Sequence, residues 1–76
     1  MKSNFQSHFA HKSVIGQRIH AIRNRQHATQ FVFASFLAIS CSQLSNIERG
    51  HSFPSLRVLS NLSAIYHCSI NSIINF

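Results

Sequence analysis

The sequence predicts an all-α domain, a compact arrangement of five helices. Three observations point to helices. Apolar residues recur three and four apart from residue 13 onward. Small polar residues suited to helix N-caps stand before the runs. The segments between the runs are short, with no internal repeat and no linker. The 76 residues make one domain. A chain of that size buries only roughly 60% of its unfolded surface, so its net stability should be a few kcal/mol. Its apolar share of 45% is enough for a core.

Residues 1–12, MKSNFQSHFAHK, hold no lasting periodicity and read as an N-terminal arm, with Phe5 and Phe9 spaced for a short docked helix. The domain is expected over residues 13–76. In helix 1, about residues 13–26, Ile15, Ile19 and Ile22 make one stripe, with Gln17, Arg18, Arg23 and Arg25 mostly off it. Thr29 is a good N-cap for helix 2, whose Phe33, Ala34 and Leu37 continue the stripe. The Phe and Val content there also suits a strand, and the cap and the spacing decide for helix.

Ser40 opens helix 3 with the capping pattern Ser40-x-x-Gln43, Leu44 and Ile47 supply its inward face, and Gly50 stops it. Pro54 disfavours helix at Phe53 and marks a loop, HSFPS. Helix 4, capped by Ser55, carries Leu56, Leu59, Leu62 and Ile65 or Tyr66. Ser69 caps a last short helix with Ile70, Ile73 and Ile74.

Charge is lopsided. Residues 1–27 carry +5, from Lys2, Lys12, Arg18, Arg23 and Arg25, while residues 28–76 carry Arg49 and Arg57 against a single acid, Glu48. A net +6 suits a polyanion, of which nucleic acid is the commonest; a basic surface kept for solubility gives the same count. Cys41 and Cys68 match no disulfide framework and favour a reducing compartment. His8-x-x-His11 and His67-Cys68 fall short of the four ligands of a zinc site, so no metal and no cofactor are expected. No apolar run approaches the ~18 residues of a membrane span, and the polar start is unlike a signal peptide, which makes a soluble, cytoplasmic protein the expectation. A lone Glu without a base, nucleophile or metal partner makes no active site, and an enzyme is not expected.

Only Ala38, Ile39 and Ser40 separate helices 2 and 3, the short link that a helix-turn-helix needs. The segments IGQRIHAIR, TQFVFASFLAISCSQLSNIERG and PSLRVLSNLSAIYHCSINSII resemble the phage repressor and Cro-like helix-turn-helix family, also called the xenobiotic response element family, over about residues 14–74. That family is all-α and prokaryotic. The resemblance implies an ion pair between Arg23 and Glu48, tying helix 1 to the end of helix 3; a guanidinium fork suits a carboxylate, and a lone acid among cations suits pairing.

The resemblance also implies that Cys41, Ser42 and Asn46 meet base edges, with Ser45 beside them on the outward face. Asn46 is suited to adenine through N6 and N7, whereas Ser42 discriminates little and Cys41 is a weak hydrogen-bonder. Gln30 matches a phosphate-contacting position at a helix N-terminus, and Arg49, Gln43 and Ser55 are further phosphate candidates. Arg18 and Arg25 fit a solvated face equally well.

The chain departs from relatives at Phe31, Val32, Ser35 and Phe36, where charged residues are usual. That leaves an exposed apolar patch for self-association or a protein partner, unless the Phe5/Phe9 arm folds back over it. Ala38 stands where Gly is frequent, tolerable while its backbone stays right-handed. The dimer surface expected first is the C-terminal helix with Ile70, Ile73, Ile74 and Phe76, and next the Phe31/Val32/Phe36 patch. The function implied is that of a sequence-specific DNA-binding transcription regulator, a homodimer on a two-fold operator. The alternative is a protein-binding module such as an antitoxin, met through the Phe-rich helix 2.

Overall fold

The computed structural model describes residues 10–75. Among them the chain forms five helices and no strands: α1 Lys12–Arg25, α2 Gln30–Leu37, α3 Cys41–Glu48, α4 Leu56–Tyr66 and α5 Ile70–Ile74. The hydroxyls of Thr29, Ser40, Ser55 and Ser69 each accept a backbone N–H in the first turn of the helix that follows. Such a cap satisfies a donor that the helix itself leaves free. At α3 the capping box is complete, because the Gln43 side chain accepts the Ser40 N–H at 2.8 Å.

The helices close around one core. Ile15, Ile19 and Ile22 of α1 meet Phe33, Ala34 and Leu37 of α2, Leu44 and Ile47 of α3, Val58, Leu59 and Leu62 of α4, and Ile73 of α5. Tyr66 stacks on Phe33 at a ring separation of 5.0 Å. α1 packs on α3 and α5, α2 on α3 and α4, and α4 on α5. The chain turns through 102° between α2 and α3, and Asn61 of α4 donates its Nδ2 to the Leu37 carbonyl at 3.2 Å, holding the end of α2 just before that turn.

Several expectations are corrected. Ile73 is only 1% exposed and completes the chain's own core, which takes it out of the expected dimer surface, while Ile70 and Ile74 are half-buried against that core. Phe76, Phe5, Phe9 and His8 lie outside the described residues. Ala10, at the end of the expected arm, is buried, and its N–H donates to the Ile74 carbonyl at 2.7 Å. Leu56 is exposed, and Val58 takes its expected place in the core. Leu56, Leu59 and Leu62 are spaced by three, and such a row drifts about 60° around a helix at each step, which carries Leu56 off the inner face. Ala38 is left-handed, at φ 61° and ψ 39°, and caps α2 in the conformation usually left to Gly.

Among the described residues no single helix is long and apolar enough to cross a membrane.

Candidate nucleic-acid interface

The orientation of α3 is fixed from behind. α1 reaches the last turn of α3 through Gly16, where a Cβ would collide with the Ile47 carbonyl oxygen and stand 2.8 Å from that of Glu48. The absent side chain lets two backbones touch, which explains a glycine inside a helix despite its cost of about 1 kcal/mol relative to Ala. Gly50, at φ 79°, ends α3, and a Cβ there would stand 2.8 Å from Cα of Ser13.

About two helical turns beyond Gly16, Arg23 grips Glu48 with two donors: Nε to Oε2 at 2.7 Å and Nη2 to Oε1 at 3.0 Å. Its Nη1 donates to the Ala28 carbonyl at 2.9 Å, in the segment that leads into α2. The two side chains are 14% and 5% exposed. Gln30, the first residue of α2, completes the set by donating Nε2 to Glu48 Oε1 at 3.0 Å. Three helices therefore converge on one carboxylate. Burial pushes the Glu48 carboxyl up, but the hydrogen bonds from Arg23 and Gln30, with the charges of Arg23 and His20, outweigh it and hold the group below the usual carboxylate range. The same hydrogen bond raises Arg23 above its ordinary value against the opposing effect of burial.

The other side of α3 is open. Cys41 and Ser42 are exposed, and Ser45 and Asn46 are half-buried, while Leu44 and Ile47 point into the core. With 100° between successive residues, positions 41, 42, 45, 46 and 49 fall within about 140° of arc, the breadth of one helix face. Arg49, exposed just after the helix, donates Nη2 to Asn46 Oδ1 at 3.2 Å.

The phosphate candidates divide. Arg49, Gln43 and Ser55 are exposed; Gln43 and Ser55 have their oxygens engaged in caps and keep hydrogens to donate. Gln30 is half-buried with one amide hydrogen committed to Glu48, which leaves the other for an anion. Arg18 is half-buried: its Nη1 donates to the carbonyls of Ile73 and Asn75, both at 2.8 Å, and fastens the end of α5 to α1. The basic excess of the first third is thus partly internal, since Arg18 and Arg23 are both used inside the fold. Lys12, Arg25, Arg49 and Arg57 are the exposed Lys and Arg side chains among the described residues.

Phe31, Val32 and Phe36 stand out from α2 at 73%, 42% and 57% exposure. Phe53 and Leu56 form a second exposed apolar pair beside the α3–α4 loop, which periodicity conceals because Leu56 shares its spacing with core leucines. Gly16, Arg18 and Asn61 are the structural residues that sequence reasoning missed. Only Gly16 left a signal, as a glycine inside a strongly helical stretch.

A pair of short helices set 102° apart, the second presenting a free polar face and locked from behind by the first helix of the domain, makes a lambda-repressor-like helix-turn-helix fold. Solved structures share this fold. The P22 c2 repressor protein, solved in complex with a synthetic operator, is 27% identical over 79% of this chain and 91% of its own, with a TM-score of 0.73. The restriction-modification controller protein C.AhdI from Aeromonas hydrophila is 21% identical over 82% of this chain and 94% of its own, also with a TM-score of 0.73. ComR from S. thermophilus is 33% identical over 82% of this chain, which spans 21% of ComR, with a TM-score of 0.71. No family model and no curated protein matches the chain.

Proposed function

We propose that the chain is a sequence-specific DNA-binding transcription regulator, not an enzyme, that binds a two-fold operator as a homodimer with α3 in the major groove. The observation that carries this reading is the outer face of α3, polar and open while Leu44 and Ile47 on its other side are buried and α1 and α2 both pack on the helix. The likeness to the P22 c2 repressor protein, solved on a synthetic operator, supports it.

In this reading Asn46 and Ser42, flanked by Cys41 and Ser45, meet base edges, and Gln30, Gln43, Arg49 and Ser55 meet phosphates. Cys41 and Ser42 are weak discriminators, so sequence-dependent DNA shape supplies part of the specificity. Half-sites stand about 34–36 Å apart, one helical turn. Such a regulator works in the cytoplasm of a prokaryotic cell, on the nucleoid.

Selection of bound sites from random duplex DNA with the purified protein is the direct test. Enrichment of a two-fold sequence is the expected result, and a pool that stays random through repeated rounds refutes the reading. Sedimentation at micromolar concentration tests the homodimer, and a strictly monomeric species with and without DNA counts against it.

The exposure of Phe31, Val32 and Phe36 favours a second reading, a protein-binding module of the antitoxin type that meets its partner through α2. A Phe36→Ser variant that keeps its DNA affinity but loses a co-purifying protein would favour that reading.

A further inference from the structure

The charge of the chain restricts where two copies of it can meet. Glu48 is the only Asp or Glu in the sequence, and Arg23 and Gln30 bond both of its oxygens from inside the fold. Two copies of this +6 chain therefore bring each other no exposed side-chain carboxylate, and cations that face one another only repel. A contact between copies has to be apolar, and it has to keep clear of Lys and Arg.

The outer face of α2 meets both conditions. Phe31, Val32, Ser35 and Phe36 are exposed and fall within about 140° of arc, opposite the buried Phe33, Ala34 and Leu37. The helix Gln30–Leu37 carries no charged residue. Ser35 is the one polar side chain within that arc, and its hydroxyl donates its hydrogen to the Val32 carbonyl at 2.6 Å. Removing water from the face therefore leaves no hydroxyl hydrogen unpaired. Phe53 and Leu56, the second apolar pair, lie between Arg49 and Arg57 in the chain and meet only the first condition.

The size of the face sets the strength of the contact. A phenylalanine side chain offers about 200 Å², so Phe31 and Phe36 at 73% and 57% exposure, with Val32 at 42%, leave roughly 300 Å² of apolar surface per copy. A standard interface covers about 800 Å² per partner. The face is thus the apolar centre of a small interface, suited to a pair that forms at micromolar rather than nanomolar concentration.

We infer that two copies of this chain pair through the outer face of α2, with Phe31, Val32 and Phe36 of each packed on those of the other about a two-fold axis. This rests on the homodimer proposed above and gives it a surface in place of α5, whose Ile73 is buried in the core.

Sedimentation of the free protein at micromolar concentration, in low and high salt, tests it. Wild type should associate, and more tightly in high salt, because salt screens the repulsion between two cationic copies. Phe31→Ser and Phe36→Ser, made separately, should each weaken the pair roughly tenfold or more. Ser35→Lys keeps the apolar side chains and sets a cation in each face, and it should abolish the pair in low salt. All three positions are exposed, so urea midpoints and the affinity of one copy for an isolated half-site duplex should stay near those of wild type. A wild-type dimer that survives all three substitutions overturns the inference and leaves the homodimer to another surface. A wild type that stays monomeric with and without DNA overturns the inference and the homodimer together, and returns the face to the protein-partner reading. Failure to enrich any sequence from random duplex DNA removes the DNA-reading function and leaves the sedimentation result to stand by itself.

Discussion

Glu48 and Asn46 stand two residues apart on α3, and their surroundings have little in common. Glu48 accepts three side-chain hydrogen bonds from α1 and α2 and its side chain is 5% exposed, whereas the Asn46 side chain lies at the rim of the open face, where it accepts from Arg49. Two steps of a helix turn the chain by about 200°, enough to send one polar side chain into a packed joint and the other toward a partner. Polarity along the sequence therefore does not separate the residue that holds the fold from the residue that meets the ligand. Their positions relative to α1 do.

The strongest way to break the packed side is Glu48→Gln. It leaves the Arg23 guanidinium without its counter-charge in a largely buried site, and a loss of about 3 kcal/mol in urea-derived stability is expected. A loss under about half a kcal/mol would mean ordinary surface behaviour. The same site should show itself in acid. The folded carboxyl lies below its unfolded value, so the stability it contributes is complete above roughly pH 4.3, the unfolded range, and is lost as pH falls through the folded value. Glu48 is the only Asp or Glu in the sequence. Between pH 5 and 3 the urea midpoint of the wild type should fall, while that of Glu48→Gln should stay much flatter.

Gly16→Ala attacks the same joint through the backbone. The new methyl meets the carbonyl oxygens of Ile47 and Glu48, neither of which can step aside without moving α3. A cost of about 2 kcal/mol is expected in the urea midpoint, despite the better helix propensity of Ala. An unchanged or raised midpoint would show that α1 and α3 do not approach so closely.

A smaller effect of opposite sign is expected at the turn between α2 and α3. Ala38 is exposed and left-handed, so Ala38→Gly removes backbone strain without removing packing. The gain is partly cancelled by the greater freedom of Gly in the unfolded chain, which leaves about 0.5 kcal/mol of stabilisation. Thermal unfolding of the two proteins side by side checks it, and a destabilised variant would contradict the left-handed geometry.

The helices were legible in the sequence because their signals are local. A cap at Thr29, Ser40, Ser55 or Ser69 concerns a hydroxyl and an N–H two or three residues away, and Ile15, Ile19 and Ile22 define a face by spacing alone. The Arg23–Glu48 pair is not local, and only the family resemblance implied it. Where that aid was missing, distant contacts stayed hidden: nothing near Arg18 announces that it reaches the carbonyls at the end of α5, and nothing near Asn61 points to Leu37. Ile73 shows the converse. An isoleucine in a short terminal helix reads as spare apolar surface until the space it fills between α1 and α4 is known.

The open face is where the comparison can be decided. Asn46→Ala touches none of the bonds to Glu48, so its stability should stay within about 0.5 kcal/mol of wild type. The measurement that tests the account most directly is the affinity of wild type and Asn46→Ala, at one salt concentration, for the selected duplex and for a scrambled duplex of the same length. The account expects a loss of roughly 1–3 kcal/mol on the selected duplex and none on the scrambled one. An equal loss on both duplexes, or no loss on either, would contradict the assignment of the outer face of α3 to base reading.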